Sequence, residues 1–188
     1  GYGNMRDYPL QDHRYALQQL AARHKFIDLN KVGIHGHSGG GFMSTAALLS
    51  YPDFYKVAVS CAGNHDNRIY NRWWSETHHG VKEVVTEKGD TVFNYSIRFN
   101  QELVKNLKGH LLLVHGDMDD NVHPANTTRV IDALIRANKR FDMLYLPGQR
   151  HGFGDMDEYF FWKMADYFSR HLIGDYQESA DIIQINDD

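Results

Sequence analysis

Apolar residues at Leu10, Tyr15, Leu17, Leu20 and Ala21 recur with helical spacing and predict an amphipathic helix ending near His24. The pattern then changes. Lys31 to His35, built around Val32-Gly33-Ile34, predicts a strand, and Phe42 to Leu49 predicts a helix that opens at Ser38 and stops near Ser50, with Pro52 just beyond. Lys56 to Ser60 is almost continuously apolar, as expected of a strand buried on both faces. Gly63 to Gly80 is polar and aromatic and reads as a long loop, a kind of segment that is usually functional or disordered inside a compact domain. Phe93 to Leu107 reads as largely helical. His110 to His115 predicts a third strand, Pro124 to about Asn138 a helix, and Phe141 to Leu146 a fourth strand. Asp155 to Leu172 predicts a last amphipathic helix rich in aromatic side chains, and residues 175–188 are acidic and aperiodic, as in a loose tail.

Strands alternating with helices are the grammar of a mostly parallel sheet covered by helices on both faces, so the expected class is α/β. The domain is expected over residues 1–174, with the tail at 175–188. A sheet of this type usually has more strands than can be read here, so the strands before that of Ser38 are expected to be missing.

Composition narrows the functions. At 188 residues the chain suits one domain large enough to bury a core. A hydrophobic share of 42% and a charged share of 23% exclude a disordered chain and fit a soluble globular one. The net charge of −4 is spread along the chain without a basic stripe, which argues against a nucleic-acid partner. No apolar run approaches the roughly 20 residues that span a bilayer. No signal peptide is visible at Gly1, but the chain opens in mid-pattern and reads as a piece of something longer. The single cysteine, Cys61, lies in an apolar run and is expected to be a buried structural thiol.

The chemistry begins at Gly36-His37-Ser38-Gly39-Gly40, a G-x-S-x-G turn between strand and helix. Such a turn forces its serine into a strained conformation with the hydroxyl exposed. The residues two before and two after, Gly36 and Gly40, are expected to be tiny because the two backbones nearly touch. A serine hydroxyl is a poor nucleophile near neutral pH and needs a base, itself oriented by a carboxylate. After the third strand comes His115-Gly116-Asp117-Met118-Asp119-Asp120-Asn121-Val122, and after the fourth Pro147-Gly148-Gln149-Arg150-His151-Gly152. Loops at the C-terminal ends of parallel strands converge on one edge of the sheet. His151 is then the base, one aspartate of the Asp117/Asp119/Asp120 group orients it, and the Gly39 N–H is an oxyanion donor. Taken singly these signals are weak; their agreement in order, strand context and spacing makes them strong. His65, Asp66, His78 and His79 match no standard zinc spacing. No cofactor is implied, because serine, base and carboxylate suffice.

On these residues the chain resembles the catalytic domain of the prolyl oligopeptidase family of serine peptidases, within it the dipeptidyl peptidase IV branch, from roughly Tyr8 to Leu172. The resemblance rests on Gly-His-Ser-Gly-Gly, on His115-Gly116-x-x-Asp119-Asp120-Asn121-Val122, and on His151-Gly152. It implies an α/β-hydrolase fold and a Ser38–Asp119–His151 triad. It implies an Asn121 that touches the substrate near its free amino end and a Val122 that lines the proline pocket. Aligning on Glu76 and Gly80 puts Tyr70 and Trp74 at aromatic wall positions of that pocket, and a flat pyrrolidine ring packs well between aromatic faces. The implied substrate is a peptide losing an Xaa-Pro or Xaa-Ala dipeptide from its N-terminus; an esterase or acyl-peptide hydrolase is the alternative of the same chemistry. Three departures stand out. Gly39 replaces a frequent tyrosine, and this chain contains neither the upstream segment that gives the second oxyanion donor nor the β-propeller that fixes the peptide's amino end. An exposed sheet edge and apolar face would follow, and with them the alternative of an inactive, self-associating, homo-oligomeric fragment of the larger peptidase. The family occurs in the cytoplasm, the periplasm and outside cells, so the resemblance leaves the compartment open.

Overall fold

The computed structural model describes residues 3–94, 96–176 and 180–182. Helix α1 (Asp7–Arg23) leads to strand β1 (Val32–His37), helix α2 (Gly39–Ser50) and strand β2 (Tyr55–Cys61). A short helix α3 (Arg72–His79) and a hairpin of β3 (Lys82–Val85) with β4 (Thr91–Asn94) follow. A 3₁₀ turn (Asn100–Asn106) enters β5 (His110–Gly116); then come α4 (Ala125–Arg136), β6 (Asp142–Leu146) and α5 (Asp157–Phe168), which runs into a π turn (Ser169–Ile173). The main sheet has four parallel strands in the order β1-β2-β5-β6.

Strand periodicity sorts the core into two layers. Ala58, Leu111 and Leu113 point to one face, where they pack with Leu10 of α1, Ala46 to Leu49 of α2, and Val130 and Leu134 of α4. Val59, Leu112 and Val114 point to the other, against Phe160, Met164 and Phe168 of α5. Each fully buried Leu, Val or Phe side chain stabilises the fold by about 1.5–3 kcal/mol. The class is therefore α/β, with helices on both faces of a parallel sheet. The sheet places the C-terminal ends of β1, β5 and β6, and hence Ser38, Asp119 and His151, along one rim.

Two segments differ from expectation. The span 63–80 is not loop throughout, because Asn71 caps α3 by accepting from the Trp74 N–H at 3.2 Å and Gly80, at φ 77°, ends it. Among its described residues, the span 93–107 is helical only in its second half, as the 3₁₀ helix Asn100–Asn106. Phe93 and Asn94 end β4, and Phe99 is extended because it bridges to Asp66. Asn100 next to it is buried and tied to His65 and Phe42: its N–H bonds the His65 carbonyl, and its side-chain amide bonds the Phe42 carbonyl at 2.9 Å. The 3₁₀ helix starts at that anchor. The expected tail at 175–188 lies mostly outside the described residues. No helix among those described is long and apolar enough to cross a membrane.

Candidate active site

Ser38 sits at φ 59° and ψ −120°, a conformation a non-glycine residue adopts only when its surroundings impose it. Here the imposition comes from both sides. Its N–H donates to the Cys61 carbonyl at 2.8 Å, and its carbonyl accepts from the Phe42 N–H at 3.0 Å. A Cβ on Gly36 would overlap the Gly40 carbonyl, so Gly36 is required as expected. Gly40 is not: a Cβ there would meet open space. The second obligatory glycine is Gly41, whose Cβ would overlap the Cys61 carbonyl and crowd Gly63. Strand β2, not β1, is the element that α2 approaches at that point.

The side chains carrying the expected chemistry meet. His151 Nε2 lies 2.9 Å from Ser38 Oγ, and His151 Nδ1 lies 2.8 Å from Asp119 Oδ2. A buried carboxylate can only accept, so Nδ1 carries the hydrogen and Nε2 is left to accept from the serine hydroxyl. Asp119 Oδ1 accepts from the backbone N–H groups of Asn121 at 3.0 Å and Val122 at 2.9 Å. The neighbouring aspartates are occupied elsewhere. Asp117 Oδ1 accepts from the Gly148 N–H at 2.6 Å, and exposed Asp120 pairs with Arg150 at 2.6 Å. Both contacts, with the Met118 N–H donating to the Gln149 carbonyl at 3.0 Å, bind the acid-bearing loop to the base-bearing one.

Gly39 is the first residue of α2, where backbone N–H groups have no partner within the helix. Trp74 stands over it: a Cβ on Gly39 would lie 3.6 Å from Trp74 Cζ2. Tyr70 packs edge-on against Trp74 with ring centroids 5.5 Å apart, and its hydroxyl donates to Asn121 Oδ1 at 3.0 Å. Burial, then the nearby Asp119 charge, raises the Tyr70 phenol above its ordinary pKa, so it stays a donor. Tyr70, Trp74 and Asn121 thus form one contiguous wall. Val122 differs from expectation, for it has no exposed surface. It can support a pocket from beneath but cannot face into an open one. Trp73 points away, 74% exposed.

Cys61 is buried and burial pushes its thiol up to about 12, which suits a structural role. His65 bonds Asn100, Asp66 pairs with Arg68 and Arg129, His79 bonds Asn67, and His78 lies against Trp74. Sequence reasoning missed His37, whose Nε2–H donates to the His151 carbonyl at 2.6 Å and whose ring lies 4.7 Å from the His151 ring. The variable position of the G-x-S-x-G turn was the available signal.

Residues 1–175 match the sequence profile of the Prolyl oligopeptidase family. Dipeptidyl peptidase 8 of Homo sapiens is 32% identical over 170 residues, covering 90% of this chain and 18% of the relative. Prolyl endopeptidase FAP of Mus musculus is 29% identical over 154 residues, covering 80% of this chain and 19% of the relative. Among solved structures, Porphyromonas gingivalis dipeptidyl peptidase 4 superposes with a TM-score of 0.76 at 26% identity, covering 91% of this chain and 24% of that one. The chain spans about a fifth of the length of the curated relatives it matches.

Proposed function

The chain belongs to the prolyl oligopeptidase family, and from that membership we propose that it carries the acyl-transfer centre of a serine peptidase that removes dipeptides from peptide N-termini. The observation that supports this best is the unbroken hydrogen-bond chain Ser38–His151–Asp119, with its serine on a strained turn. Ser38 Oγ attacks the scissile carbonyl carbon while His151 Nε2 takes the hydroxyl proton. The developing oxyanion is received by the Gly39 N–H. Collapse breaks the C–N bond, and His151 returns the proton to the leaving amine. Water then enters, gives a proton to the same nitrogen and attacks the acyl-Ser38 ester; His151 passes that proton to Ser38 Oγ as the ester bond breaks, which frees the acid and restores the serine. Asp119 keeps the His151 Nδ1–H in place and stabilises the imidazolium that forms.

Tyr70 and Trp74 are assigned to the walls of a pocket for proline or alanine. Asn121 accepts from the Tyr70 hydroxyl through its amide oxygen, and its NH₂ group is assigned as the donor to the substrate near its amino end. Val122 backs this wall. The names of the relatives, dipeptidyl peptidase and prolyl endopeptidase, agree with a peptide substrate.

The test is an active-site fluorophosphonate probe. Ser38 is labelled in the chain, labelling disappears in Ser38→Ala and slows in His151→Ala, and an Xaa-Pro chromogenic substrate competes. An unlabelled chain beside a labelled longer version would mark this chain as an inactive fragment, and no label on either would sink the reading. Labelling that an ester protects and an Xaa-Pro peptide does not would turn it into an esterase.

A further inference from the structure

His115, near the end of β5, has no exposed surface, and the mechanism above makes no use of it. Its Nε2 lies 2.8 Å from the Val122 carbonyl and 3.2 Å from Asp119 Oδ2, the same oxygen that receives His151. Both neighbours are acceptors, so Nε2 carries a hydrogen; it donates to the Val122 carbonyl with Asp119 Oδ2 alongside. Burial disfavours the imidazolium and lowers the ring's pKa from its ordinary value. In the neutral ring Nδ1 is then bare, and it accepts from the hydroxyl of Thr127, 2.7 Å away in the first turn of α4 and itself buried. The hydrogen positions follow from the partners alone.

Asp119 is thereby enclosed. Oδ1 accepts two backbone N–H groups, Oδ2 accepts the His151 Nδ1–H, and the His115 Nε2–H, which donates to the Val122 carbonyl, lies 3.2 Å from Oδ2. Three hydrogen bonds hold the carboxylate, and the His115 N–H dipole faces the oxygen that receives His151, so the group cannot turn without losing a bond or that favourable contact. We propose that His115 is a positioning residue for the acyl-transfer centre: it fixes the Asp119 oxygen that orients His151, and Thr127 selects the ring tautomer that lets it do so. In its kinetic consequence the proposal rests on the peptidase reading; in its geometry it does not.

Two substitutions separate positioning from simple core filling. His115→Gln places an amide NH₂ close to where Nε2 lies, so the donor to Asp119 survives. His115→Leu keeps an apolar volume and removes the donor. The maximal rate of fluorophosphonate labelling at Ser38 falls about tenfold in His115→Leu, the scale of one hydrogen bond to a charged group. The affinity for the probe is unchanged, and His115→Gln recovers most of the rate. In an Asp119→Ala background His115→Leu has no further effect. Circular dichroism checks that each variant folds.

Ring ¹⁵N shifts give a readout independent of activity. His115 shows Nε2–H with bare Nδ1 at neutral pH, and Thr127→Val erodes that preference. The proton between His151 Nδ1 and Asp119 is perturbed in His115→Leu and restored in His115→Gln. Equal labelling rates in wild type and His115→Leu, equal losses in both variants, a loss that persists without Asp119, or an Nδ1–H or charged His115 would each overturn the proposal. No label on either the wild-type chain or a longer version would instead overturn the peptidase reading, and the nitrogen shifts would still decide the role of His115.

Discussion

Trp74 covers the backbone of Gly39, with its ring edge 3.6 Å from where a Cβ on that glycine would lie. A methyl group fits at that distance and an aromatic side chain does not. Gly39→Ala therefore keeps probe labelling within about threefold, whereas Gly39→Tyr displaces the indole, visible as a change in tryptophan fluorescence.

The same wall gives a specificity test. Trp74→Ala lowers kcat/KM for an Xaa-Pro substrate by about tenfold more than for a small activated ester, because only the former fills the pocket. Equal losses on both substrates would remove Trp74 from the pocket.

Asp119 is the one aspartate of its loop that faces His151, since Asp117 is bonded to Gly148 and Asp120 to Arg150. Asp119→Asn preserves the fold and cuts turnover by on the order of 10⁴, because the amide cannot hold the required tautomer. Asp117→Asn and Asp120→Asn leave turnover within a few-fold. Steady-state rates with folding checked by circular dichroism decide the matter, and a drop confined to Asp117→Asn would move the role to that residue.

The elbow glycines are unequal. Gly36→Ala and Gly41→Ala drive a methyl into backbone that cannot retreat and destabilise by about 1–3 kcal/mol or more, while Gly40→Ala is neutral or slightly stabilising through its helix propensity. Melting temperatures of the three variants measure this, and a Gly40→Ala loss as large as the other two would contradict it.

Stability depends on pH through buried histidines. Burial, helped by the nearby His115, holds His65 down to about 3, and burial with His78 and Arg6 holds His79 down to about 4. An unfolded histidine titrates near 6.5. Below that pH the unfolded chain binds protons that the folded chain refuses, so stability is complete above about pH 7 and falls as pH drops toward the folded values. Each histidine contributes a slope on the order of 1 kcal/mol per pH unit in that window. Melting temperature against pH shows the fall, and His65→Gln flattens it; an unaltered slope would show that His65 charges within the fold.

The sequence made the parallel strands legible because their apolar runs are long and bounded by turn residues. It made Ser38 and His151 legible because chain order and strand context limit the choices. Asp119 was not separable from Asp117 and Asp120 by residue type, and only the resemblance to a family singled it out; the partners Gly148 and Arg150 lie about 30 residues away. Helix α3 was hidden because its buried side chains, Ser75 and His79, are polar and leave no apolar stripe. The hairpin β3–β4 was hidden because all its residues are exposed, so no alternation marks an inner face. His115 and Thr127 gave no local signal, since their partnership exists only once β5 and α4 have packed.

The bonds between the loop 117–122 and the loop 147–151 make acid and base travel as one cassette. The aromatic wall belongs to another segment, 63–80, joined to that cassette by the Tyr70–Asn121 bond. Rewriting that stretch would retool what is recognised while the proton-handling hardware is inherited intact, which makes residues 63–80 the place to begin when engineering a new preference.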